Sequence, residues 1–474
     1  MDKQRGRVHF VGIGGSGMSG LAQIMVAKGY EVSGSDIKES DTTTRLQQLG
    51  AQVFIGHYAE YAQGAGRLVV STAIAGDNPE LLKAKQEGTP ILHRSDVLAW
   101  LMENQKGISV AGAHGKTTTT SMIALVLENN GMDPTIVVGG GLPQIQGNAK
   151  QGNGEYMVAE ADESDGSFLK LHPYFAVVTN IEDDHLDYYG SVENIIRAFE
   201  RFMAMVPPEG CGIICVDDPQ VKALAAHCQG KIITYGRSAE AQYRLGEVRA
   251  EGLASRGQVF YQGEFLGEMA LKVPGEHNQL NALAAVAVGR ELGLKFEDIV
   301  RGLQTFQGAQ RRFQILGEVG GVKVVDDYAH HPTELKATLK AAKDTAASRV
   351  VALFQPHRYT RTKYLYREFG RAFGDADVIA VTEIYSAGEP PIPEVNAHLI
   401  IEAIKENEGR EVQYLPSLDA ALNFLQTVVK PGDLVMTLGA GNVWTVGEKL
   451  VHLLQGEERE ETGNGLPAHQ GRAN

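Results

Sequence analysis

The stretch VAGAHGKTTTT, residues 110–120, separates an apolar, strand-like run from a helical pattern in the middle of the chain. In such a turn, backbone N–H groups, the helix dipole and Lys116 can hold the oxygens of a triphosphate, and Thr117 can supply a hydroxyl to magnesium. The general phosphate-loop pattern requires a glycine at position 110, where this chain has Val110. The loop is therefore shortened, and the stretch predicts an α/β domain that binds a nucleoside triphosphate.

A second glycine-rich turn, HFVGIGGSGMSG at residues 9–20, stands near the start of the chain. Gly12, Gly14 and Gly17 have the GxGxxG spacing between a predicted strand and a predicted helix, a context in which the backbone can approach a pyrophosphate. Asp36 follows the next strand at the position of a ribose-binding carboxylate, which by itself suggests a nicotinamide dehydrogenase. A tight turn without a ligand is the alternative, and the motif leaves the identity of the ligand open.

The length of 474 residues predicts about three domains, since a single core stops growing near 250 to 300 residues. Short apolar runs alternate with helical patterns, which is typical of parallel α/β sheets. We place an N-terminal domain at residues 1–105, a central domain at 106–314 and a C-terminal domain at 315–455. The last residues, 456–474, are charged, glycine-rich and nearly without apolar side chains, so we expect a disordered tail.

The apolar pattern also predicts individual elements. The second strand of the N-terminal domain is predicted over residues 30–32. In the central domain, residues 240–273 predict hairpins that pack against an alanine-rich helix over 278–292.

The composition argues against nucleic acid and membrane as partners. The charges sum to −14, from 44 basic and 58 acidic residues, so the chain lacks the basic character of a general nucleic-acid-binding protein. Cys211, Cys215 and Cys228 are too few for a disulfide framework and lack zinc-ligand spacing, which indicates reduced thiols. No apolar stretch approaches the roughly 18 residues of a membrane span. We therefore expect a cytoplasmic protein that binds neither nucleic acid nor membrane.

Acidic side chains follow two further strands of the central domain. In VAEADESDGSF, residues 158–168, Glu160 ends a strand and suits a magnesium ligand, because so many carboxylates would repel each other without cations or donors nearby. In TNIEDDHLDYYG, residues 179–190, His185 stands among carboxylates and is a candidate ligand of a second metal. A solvated acidic loop and a structural histidine are the alternatives.

Polar clusters come next at the alanine-rich helix and at the end of the central domain. His277, Asn278 and Asn281 precede or enter that helix, where they could hydrogen-bond an adenine edge or cap the helix. Arg311 and Arg312, just before the C-terminal domain, could reach a phosphate.

The C-terminal domain contributes two clusters. The first follows a strand in VVDDYAHHPTE, before a proline that starts a helix, and comprises Asp326, Asp327, His330 and His331. The second lies in FQPHRYTRTKY and comprises His357, Arg358 and Arg361. The spacing i, i+3 of the two arginines suits a clamp on a carboxylate or phosphate, although either could be a solvated surface charge.

Taken in order, these motifs resemble those of the Mur ligases of bacterial peptidoglycan synthesis. The segments that carry the resemblance span nearly the whole chain: HFVGIGGSGMSG, HGKTTTT, EADESD, TNIEDDHLDYYG, HNQLNALAA, QRRFQ, DDYAHHPTE, FQPHRYTRT, YSAGE and GAGN. The family's shortened phosphate loop accounts for Val110, and its UDP-binding N-terminal domain displaces the dehydrogenase interpretation. The resemblance implies an α/β protein of three domains: an N-terminal Rossmann-like domain for UDP, a central P-loop domain for ATP and a C-terminal Rossmann-like domain for an amino acid.

The chemistry that the resemblance implies is an ATP-dependent ligation in cytoplasmic peptidoglycan precursor synthesis. ATP phosphorylates the lactyl carboxylate of UDP-N-acetylmuramate, and the amine of L-alanine attacks the acyl phosphate, so that an amide forms and ADP and phosphate leave. A carboxylate is a poor electrophile at neutral pH and must first acquire a good leaving group. Because two anions must meet, cations are needed in a closed, water-poor cleft.

The resemblance also implies roles for individual residues. Those expected to bind the UDP substrate are Gly12, Gly14, Gly15, Ser16, Gly17, Ser35, Asp36, Ser71 and Thr72. Those expected to bind ATP are Gly112, Ala113, His114, Gly115, Lys116, Thr117, Thr118, His277, Asn278, Asn281, Arg312 and Asp327. Thr117, Glu160 and His185 are expected to hold magnesium. Catalytic roles are expected for Lys116, His185, Arg312, His331, His357, Arg358 and Arg361, with Tyr328 lining the same pocket as His331.

Two features depart from the family's pattern, His93 before Arg94 and the long polar tail, and we expect both to lie away from the chemistry. Within the same class, a ligase that adds a preformed peptide in cell-wall recycling and a folylpolyglutamate synthase are the rival hypotheses. A non-catalytic sensor of UDP-linked precursors that binds ATP, and a nicotinamide dehydrogenase, are rivals from other classes. We expect a monomer or a weak homodimer.

Overall fold

The computed structural model describes residues 6–345 and 347–456, so most of the tail predicted at 456–474 lies outside the described residues. The described chain divides into two compact units, residues 6–314 with 340–345 and residues 315–339 with 347–456. It contains three β-sheets, two in the first unit and one in the second.

The first sheet has five parallel strands in the order β3-β2-β1-β4-β5, the order of a Rossmann-type half in which the direction of winding changes between β1 and β4. Its strands are β1 (Val8–Val11), β2 (Val32–Asp36), β3 (Gln52–Ile55), β4 (Arg67–Val70) and β5 (Ile91–His93). Its helices are α1 (Ser16–Ala27), α2 (Asp41–Gln48), α3 (Ala59–Ala62), α4 (Pro79–Glu87) and α5 (Arg94–Met102). Ligands of such sheets bind at the carboxyl ends of the strands beside the change of direction, where the glycine turn after β1 lies.

The prediction of a second strand over residues 30–32 is wrong, because β2 begins at Val32 and runs through the polar sequence VSGSD. Ser33 and Ser35 are fully buried although they are polar. A Cβ on Gly34 would lie 2.6 Å from the carbonyl oxygen of Phe10, so only glycine lets these strands approach so closely. Apolar patterning could not locate a strand whose buried side chains are hydroxyls.

The buried hydroxyls of β2 belong to a hydrogen-bond network centred on Glu80. The Glu80 carboxylate accepts from His9 Nε2 at 2.5 Å, from Ser35 Oγ at 2.7 Å and from His57 Nδ1 at 2.7 Å. His9 Nδ1 lies 2.7 Å from Ser33 Oγ, so each polar group has a partner. Burial by itself would raise the pKa of Glu80, but the hydrogen bonds from His9, Ser35 and His57 outweigh it and lower that pKa below its ordinary value.

We expect Glu80→Gln to reduce the free energy of unfolding by about 2 to 3 kcal/mol at neutral pH, because the charge that accepts these hydrogen bonds is lost. Since the pKa of Glu80 is lowered by folding, its contribution is complete above the ordinary value of 4.5 and is lost as the pH falls through the lower value in the folded state. Urea unfolding of both proteins between pH 3 and pH 8 checks this. A difference between them that stays constant across that range would contradict it.

The second sheet has ten strands in the order β15-β14-β13-β12-β11-β10-β6-β9-β7-β8. The strands are β6 (Lys106–Ala111), β7 (Thr135–Leu142), β8 (Gly147–Lys150), β9 (Tyr156–Glu160), β10 (Pro173–Val178), β11 (Cys211–Cys215), β12 (Lys231–Gly236), β13 (Tyr243–Glu251), β14 (Ala254–Tyr261) and β15 (Glu264–Leu271). The helices are α6 (Lys116–Asn129), α7 (Leu186–Tyr189), α8 (Val192–Ala204), α9 (Pro219–Ala223), α10 (Glu276–Glu291) and α11 (Phe296–Leu303). Leu21 of α1 and Ala149 of β8 belong to one buried apolar cluster, so the first two sheets form one unit.

Two predictions for the central domain are tested by these elements. The hairpins expected within 240–273 are confirmed, because β13, β14 and β15 pair antiparallel and β13 and β14 contact α10. The start of the alanine-rich helix was expected at Asn278, but α10 begins at Glu276. Gly275, with φ +93°, and the preceding Pro274 end the extended chain, so His277 and Asn278 lie inside the first turn.

The third sheet has six strands in the order β16-β17-β21-β18-β19-β20, with β17, β21, β18, β19 and β20 parallel. The strands are β16 (Gln314–Val319), β17 (Val322–Asp327), β18 (Arg349–Phe354), β19 (Val378–Thr382), β20 (Val412–Leu415) and β21 (Asp433–Leu438). The helices are α12 (Pro332–Lys343), α13 (Tyr359–Phe369), α14 (His398–Glu408), α15 (Leu418–Val428) and α16 (Trp444–Leu454).

Candidate active site

The phosphate loop comprises residues 112–115, between β6 and α6. Val110, the residue that departs from the general pattern, lies inside β6, fully buried, and pairs with Glu160 of β9 and Val177 of β10. A glycine there would weaken a central strand. The loop is short because the strand continues to Ala111.

The two glycines of this loop are required by its shape. Gly112 has φ +138°, and a Cβ on it would lie 2.0 Å from Thr179 Oγ1. Gly115 has φ +82°, and a Cβ on it would lie 2.5 Å from Asn281 Oδ1. Thr179 Oγ1 donates to the carbonyl of His114 at 2.7 Å, so the end of β10 holds the loop in place.

We expect Gly112→Ala to lower the free energy of unfolding by about 2 kcal/mol or more. The cost of a positive φ at a non-glycine residue and the cost of the clash with Thr179 add together. Gly131→Ala is the matched control: Gly131 also has a positive φ, +74°, but has open space around its Cβ position. That control should lose only the backbone cost of about 1 kcal/mol. Equal losses in the two variants, measured by denaturant unfolding, would contradict the proposed clash with Thr179.

The ammonium of Lys116 is held inside the loop. Its Nζ donates to the carbonyl of Gly112 at 2.6 Å and to Glu163 Oε1 at 2.7 Å. Burial by itself would lower the pKa of Lys116, but the carboxylates of Glu163 and Glu160 outweigh it and raise that pKa. Burial also raises the pKa of Glu163 above its usual range, and Oε2 of that carboxylate has no hydrogen-bond partner within 6–345 and 347–456. The buried pair with Glu163 therefore holds the Lys116 ammonium inside the loop.

Thr117 and Glu160, which the resemblance implies share a metal, lie side by side. Glu160 Oε2 accepts from Thr117 Oγ1 at 2.9 Å and from the backbone N–H of Gly139 at 2.8 Å. A hydroxyl and a carboxylate are hard oxygen donors of the kind Mg²⁺ prefers, and one or two protein ligands beside a triphosphate are its usual arrangement. The residues present therefore fit magnesium.

His185 directly precedes α7, in the segment that follows β10, and has φ +60°, a conformation that non-glycine residues rarely adopt. Its Nε2 lies 3.6 Å from Asp184 Oδ2 and 3.8 Å from Glu163 Oε1. The structure thus brings His185 to the carboxylate that holds Lys116. His114 Nε2 lies 3.3 Å from Glu182 Oε2 on the same side of the loop.

Asn281, Asn278 and Arg312, expected near the adenine and the γ-phosphate, lie in three different places in the first unit. Asn281 lies against Gly115 and accepts from Thr119 Oγ1 at 3.2 Å. Asn278 is buried, and its amide donates to the carbonyl of Pro274 at 2.7 Å. The backbone N–H of Arg312 donates to the carbonyl of Ala309 at 3.0 Å in the segment that follows α11.

That segment runs beside the phosphate loop. The N–H of Gln310 donates to the carbonyl of Gly141 at 2.8 Å. A Cβ on the neighbouring Gly140 would lie 3.4 Å from Thr117 Cγ2 and 3.6 Å from the carbonyl oxygen of Gln310. Arg312 therefore belongs to a backbone segment adjacent to Thr117.

In the N-terminal domain, the glycine turn is fixed by β2. Gly14 N–H donates to Asp36 Oδ2 at 2.8 Å, and the N–H groups of Gly12 and Ile13 donate to the carbonyl of Ser35. Asp36 Oδ1 accepts from the N–H of Ile37 at 2.8 Å. Both carboxylate oxygens of Asp36 therefore accept backbone hydrogen bonds, one of them from the glycine turn.

Of the other residues expected at the UDP site, Ser35 has a fully buried side chain that donates to Glu80. Its backbone carbonyl is the part that contacts the glycine turn. Gly15 and Ser16 are exposed at the start of α1, and Ser71 and Thr72 follow β4, next to β1 in the sheet.

His93, which was expected to lie away from the chemistry, and its neighbour Arg94 both lie beside the acidic loop that follows β9. Arg94 Nη2 donates to Asp162 Oδ2 at 2.5 Å, and His93 Nε2 lies 3.7 Å from Asp165 Oδ2. Asp162 directly precedes Glu163, the partner of Lys116. Sequence reasoning missed this contact because 68 residues separate its partners, although the density of carboxylates after β9 was a signal that cations stand nearby.

In the second unit, the carboxyl ends of the strands carry a cluster of rings. The ring of His357 stacks on Tyr385 with centroids 5.8 Å apart and meets the ring of His330 edge-on at 5.8 Å. Arg361 Nη1 lies 3.2 Å from His357 Nδ1, and the ring of Tyr328 lies 5.3 Å from that of His330. The cluster joins both sequence motifs of this domain and adds Tyr385 of the YSAGE motif.

Arg358 does not continue the spacing of Arg361 along a helix. It precedes α13 with φ +69°, and its N–H donates to the carbonyl of Tyr385 at 2.8 Å. Glu389, also in YSAGE, accepts from Thr360 Oγ1 at 2.7 Å at the start of α13. Arg358 therefore has a left-handed backbone conformation before the helix, whereas Arg361 lies within the helix. The i, i+3 spacing could not indicate this difference.

Asp327 and His331 are both buried at the end of β17. Asp327 Oδ1 accepts from the N–H of Ala329 at 2.8 Å, and the Asp327 carbonyl accepts from the N–H of Gly439 in the GAGN motif at 3.1 Å. The conformation of the DDYAHH loop is thus fixed by the neighbouring β21.

A glycine turn at the switch point of one parallel sheet, and a phosphate loop with a lysine, a threonine and a carboxylate in the next, define an α/β enzyme that handles phosphorylated ligands. Family models match along the chain: "Mur ligase family, catalytic domain" over residues 7–106, "Mur ligase middle domain" over 110–289 and "Mur ligase, glutamate ligase domain" over 311–441. The chain belongs to the Mur ligase family, and the predicted α/β fold of three domains is confirmed.

Individual relatives agree over nearly the full length. The chain is 56% identical to the UDP-N-acetylmuramate–L-alanine ligase of Pelotomaculum thermopropionicum, over 97% of this chain and 100% of the relative. It is 54% identical to the enzyme of the same name from Desulforamulus reducens, over 95% and 98%. The crystal structure of UDP-N-acetylmuramate-alanine ligase from Thermotoga maritima superposes with a TM-score of 0.82 at 31% identity, over 95% and 99%. No helix within residues 6–345 and 347–456 has the length and apolar character to cross a membrane.

Proposed function

We propose that this chain joins L-alanine to the lactyl carboxylate of UDP-N-acetylmuramate with ATP, through an acyl phosphate, in the synthesis of peptidoglycan precursors. The observation that carries the proposal is the identity of 54–56% over nearly the whole chain with enzymes named for this reaction. Because the reaction consumes ATP and a UDP-linked sugar, we place it in the cytoplasm.

The phosphate loop would receive ATP. Its backbone N–H groups and the start of α6 attract the phosphates, and Lys116 exchanges Glu163 for the β- and γ-phosphate oxygens. Arg312, on the segment beside Thr117, is our candidate for the cation that stabilises the transferring phosphoryl group. Asn278, Asn281 and His277, at the start of α10, are our candidates for the adenine side.

Thr117 and Glu160 would hold the first magnesium and His185 the second. When bound, magnesium offsets the repulsion between the γ-phosphate and the substrate carboxylate and orients both. The backbone N–H of Gly139 keeps Glu160 in place, since it donates to the same Glu160 oxygen that accepts from Thr117.

The glycine turn would bind the UDP diphosphate, with Asp36 as the residue that shapes it. In the C-terminal domain, His357, Arg361 and Arg358 would take the carboxylate of the amino acid and the acyl phosphate, with His331 and Tyr328 nearby. Asp327 remains our candidate for the ATP ribose. Residues 1–105, 106–314 and 315–455 are our proposed domain boundaries.

The rival hypotheses differ in support. Solved murein peptide ligases are more distant, for example 24% identical with a TM-score of 0.71 for the Psychrobacter arcticus structure, a likeness that concerns the fold alone. The dehydrogenase hypothesis does not explain the phosphate loop or the Thr117–Glu160 pair beside it. A sensor would not need His185 beside the lysine's counterion.

The test offers the full chain ATP, magnesium and UDP-N-acetylmuramate together with equal concentrations of L-alanine and of the preformed tripeptide L-alanyl-γ-D-glutamyl-meso-diaminopimelate. We expect mass spectrometry of the UDP-linked product to show addition of alanine. Addition of the tripeptide would favour the recycling ligase, and binding of both nucleotides without any product would favour the sensor.

A further inference from the structure

The side chain of Arg94 lies between the two phosphate-binding regions of the first unit. Arg94 is the first residue of α5, and its side chain is 20% exposed. Its Nη2 donates to Asp162 Oδ2 at 2.5 Å and lies 4.0 Å from Asp165 Oδ2.

The other edge of the guanidinium faces the glycine turn. A Cβ on Gly17 would lie 3.3 Å from Arg94 Nη1 and 3.4 Å from Arg94 Cδ. The guanidinium therefore rests against the first turn of α1, where the GxGxxG loop ends. In the part of the chain that the structure describes, Asp162 is the one hydrogen-bond acceptor of this guanidinium. Because a guanidinium has five N–H donors in a planar fork, donors remain for a second anion.

Asp162 is itself held in position. Its Oδ1 accepts from the N–H of Ser164 at 3.0 Å, which fixes the carboxylate within its own loop. The next residue, Glu163, accepts from Lys116 Nζ at 2.7 Å, and its carbonyl accepts from Tyr189 Oη at 2.6 Å. Asp162 and Glu163 are thus neighbours in one loop. Asp162 holds Arg94 beside the glycine turn, and Glu163 holds Lys116 in the phosphate loop.

We propose that Arg94 binds the diphosphate of the UDP-linked substrate through the N–H groups that Asp162 leaves unused, and that Asp162 is the positioning residue for it. This inference rests on the proposed function, because it takes a UDP-linked molecule as the ligand of the glycine turn. Arginine suits this role better than lysine, since its planar fork can serve a carboxylate and a phosphate at once.

The test measures binding of UDP and of ADP to the full chain by calorimetry. Arg94→Ala should weaken UDP binding by roughly tenfold to a hundredfold, the usual effect of losing hydrogen bonds to a charged group, and leave ADP binding unchanged. Asp162→Asn should weaken UDP binding less. If Asp162 acts only through Arg94, the double variant should bind UDP as Arg94→Ala does. Arg94→Lys should recover only part of the loss.

Lys170→Ala is the matched control. Lys170 Nζ donates to Asp96 Oδ1 at 2.6 Å, so this variant removes an ion pair between the same helix α5 and the same region after β9 without touching either loop. It should bind UDP as the unmodified chain does. Loss of UDP and ADP binding together in Arg94→Ala would indicate a merely structural role and overturn the proposal.

The outcomes separate this inference from the proposed function. If UDP binds equally well to the unmodified chain and to Arg94→Ala, the inference is wrong and the proposed function stands. If the unmodified chain binds ADP but neither UDP nor UDP-N-acetylmuramate, both are wrong.

Discussion

Lys116→Ala is expected to reduce ATP-dependent turnover by about a hundredfold to a thousandfold, the usual cost of removing one preorganised charge from a transition state. Lys116 begins α6, and its ammonium already lies among the loop carbonyls where phosphate oxygens would arrive. Steady-state phosphate release at saturating substrates measures the loss. Lys150→Ala is the control, since Lys150 also pairs with a carboxylate, Asp133, in the same domain.

A second variant separates catalysis from folding. Lys116→Ala leaves Glu163, whose side chain is 4% exposed, without its cation, so the variant should also be less stable. Adding Glu163→Gln removes that uncompensated charge and should recover thermal stability without recovering activity. Recovery of turnover in the double variant would contradict a direct role of Lys116 in handling phosphate.

Glu160→Gln is expected to raise the magnesium concentration needed for half-maximal turnover by about tenfold to a hundredfold. The amide keeps the shape of the side chain and can still accept from Thr117, but the charge that attracts the cation is lost. Magnesium titration of phosphate release, and calorimetric titration of magnesium with a non-hydrolysable ATP analogue present, both measure the shift.

The matched control for this variant is Glu128→Gln. Glu128 lies in α6 and pairs with Lys150, so the same change of charge occurs in the same domain away from the loop. An unchanged magnesium requirement in Glu160→Gln would remove Glu160 from the metal site.

The parts that the sequence predicted well depend on local spacing. The glycine turn after β1 and the phosphate loop after β6 each combine a strand, a glycine-rich turn and a helix within a short stretch, so position and conformation follow from the residues themselves. Thr117 and Glu160 were expected to meet from the resemblance to the Mur ligases. The structure brings them together because β6 and β9 are neighbouring parallel strands, whose carboxyl ends share one edge of the sheet.

The parts that were missed depend on partners far apart in the chain. Ser33 and Ser35 give β2 a polar sequence that is typical of a loop. They can be buried in a strand because Ser33 hydrogen-bonds His9 and Ser35 hydrogen-bonds Glu80. No local pattern indicates that Arg94 pairs with Asp162, which lies 68 residues further along the chain. Polar groups in buried positions are stabilised by specific partners, and apolar patterning does not reveal those partners.

In the proposed reaction, ATP cleavage is coupled to the joining of L-alanine to UDP-N-acetylmuramate. The most direct measurement is phosphate release by the full chain with ATP and magnesium, with each of the two acceptor substrates omitted in turn and each other amino acid offered in place of alanine. The proposal predicts rapid release only when both UDP-N-acetylmuramate and L-alanine are present. Release that is equally rapid without L-alanine, or without the UDP-linked sugar, would contradict it.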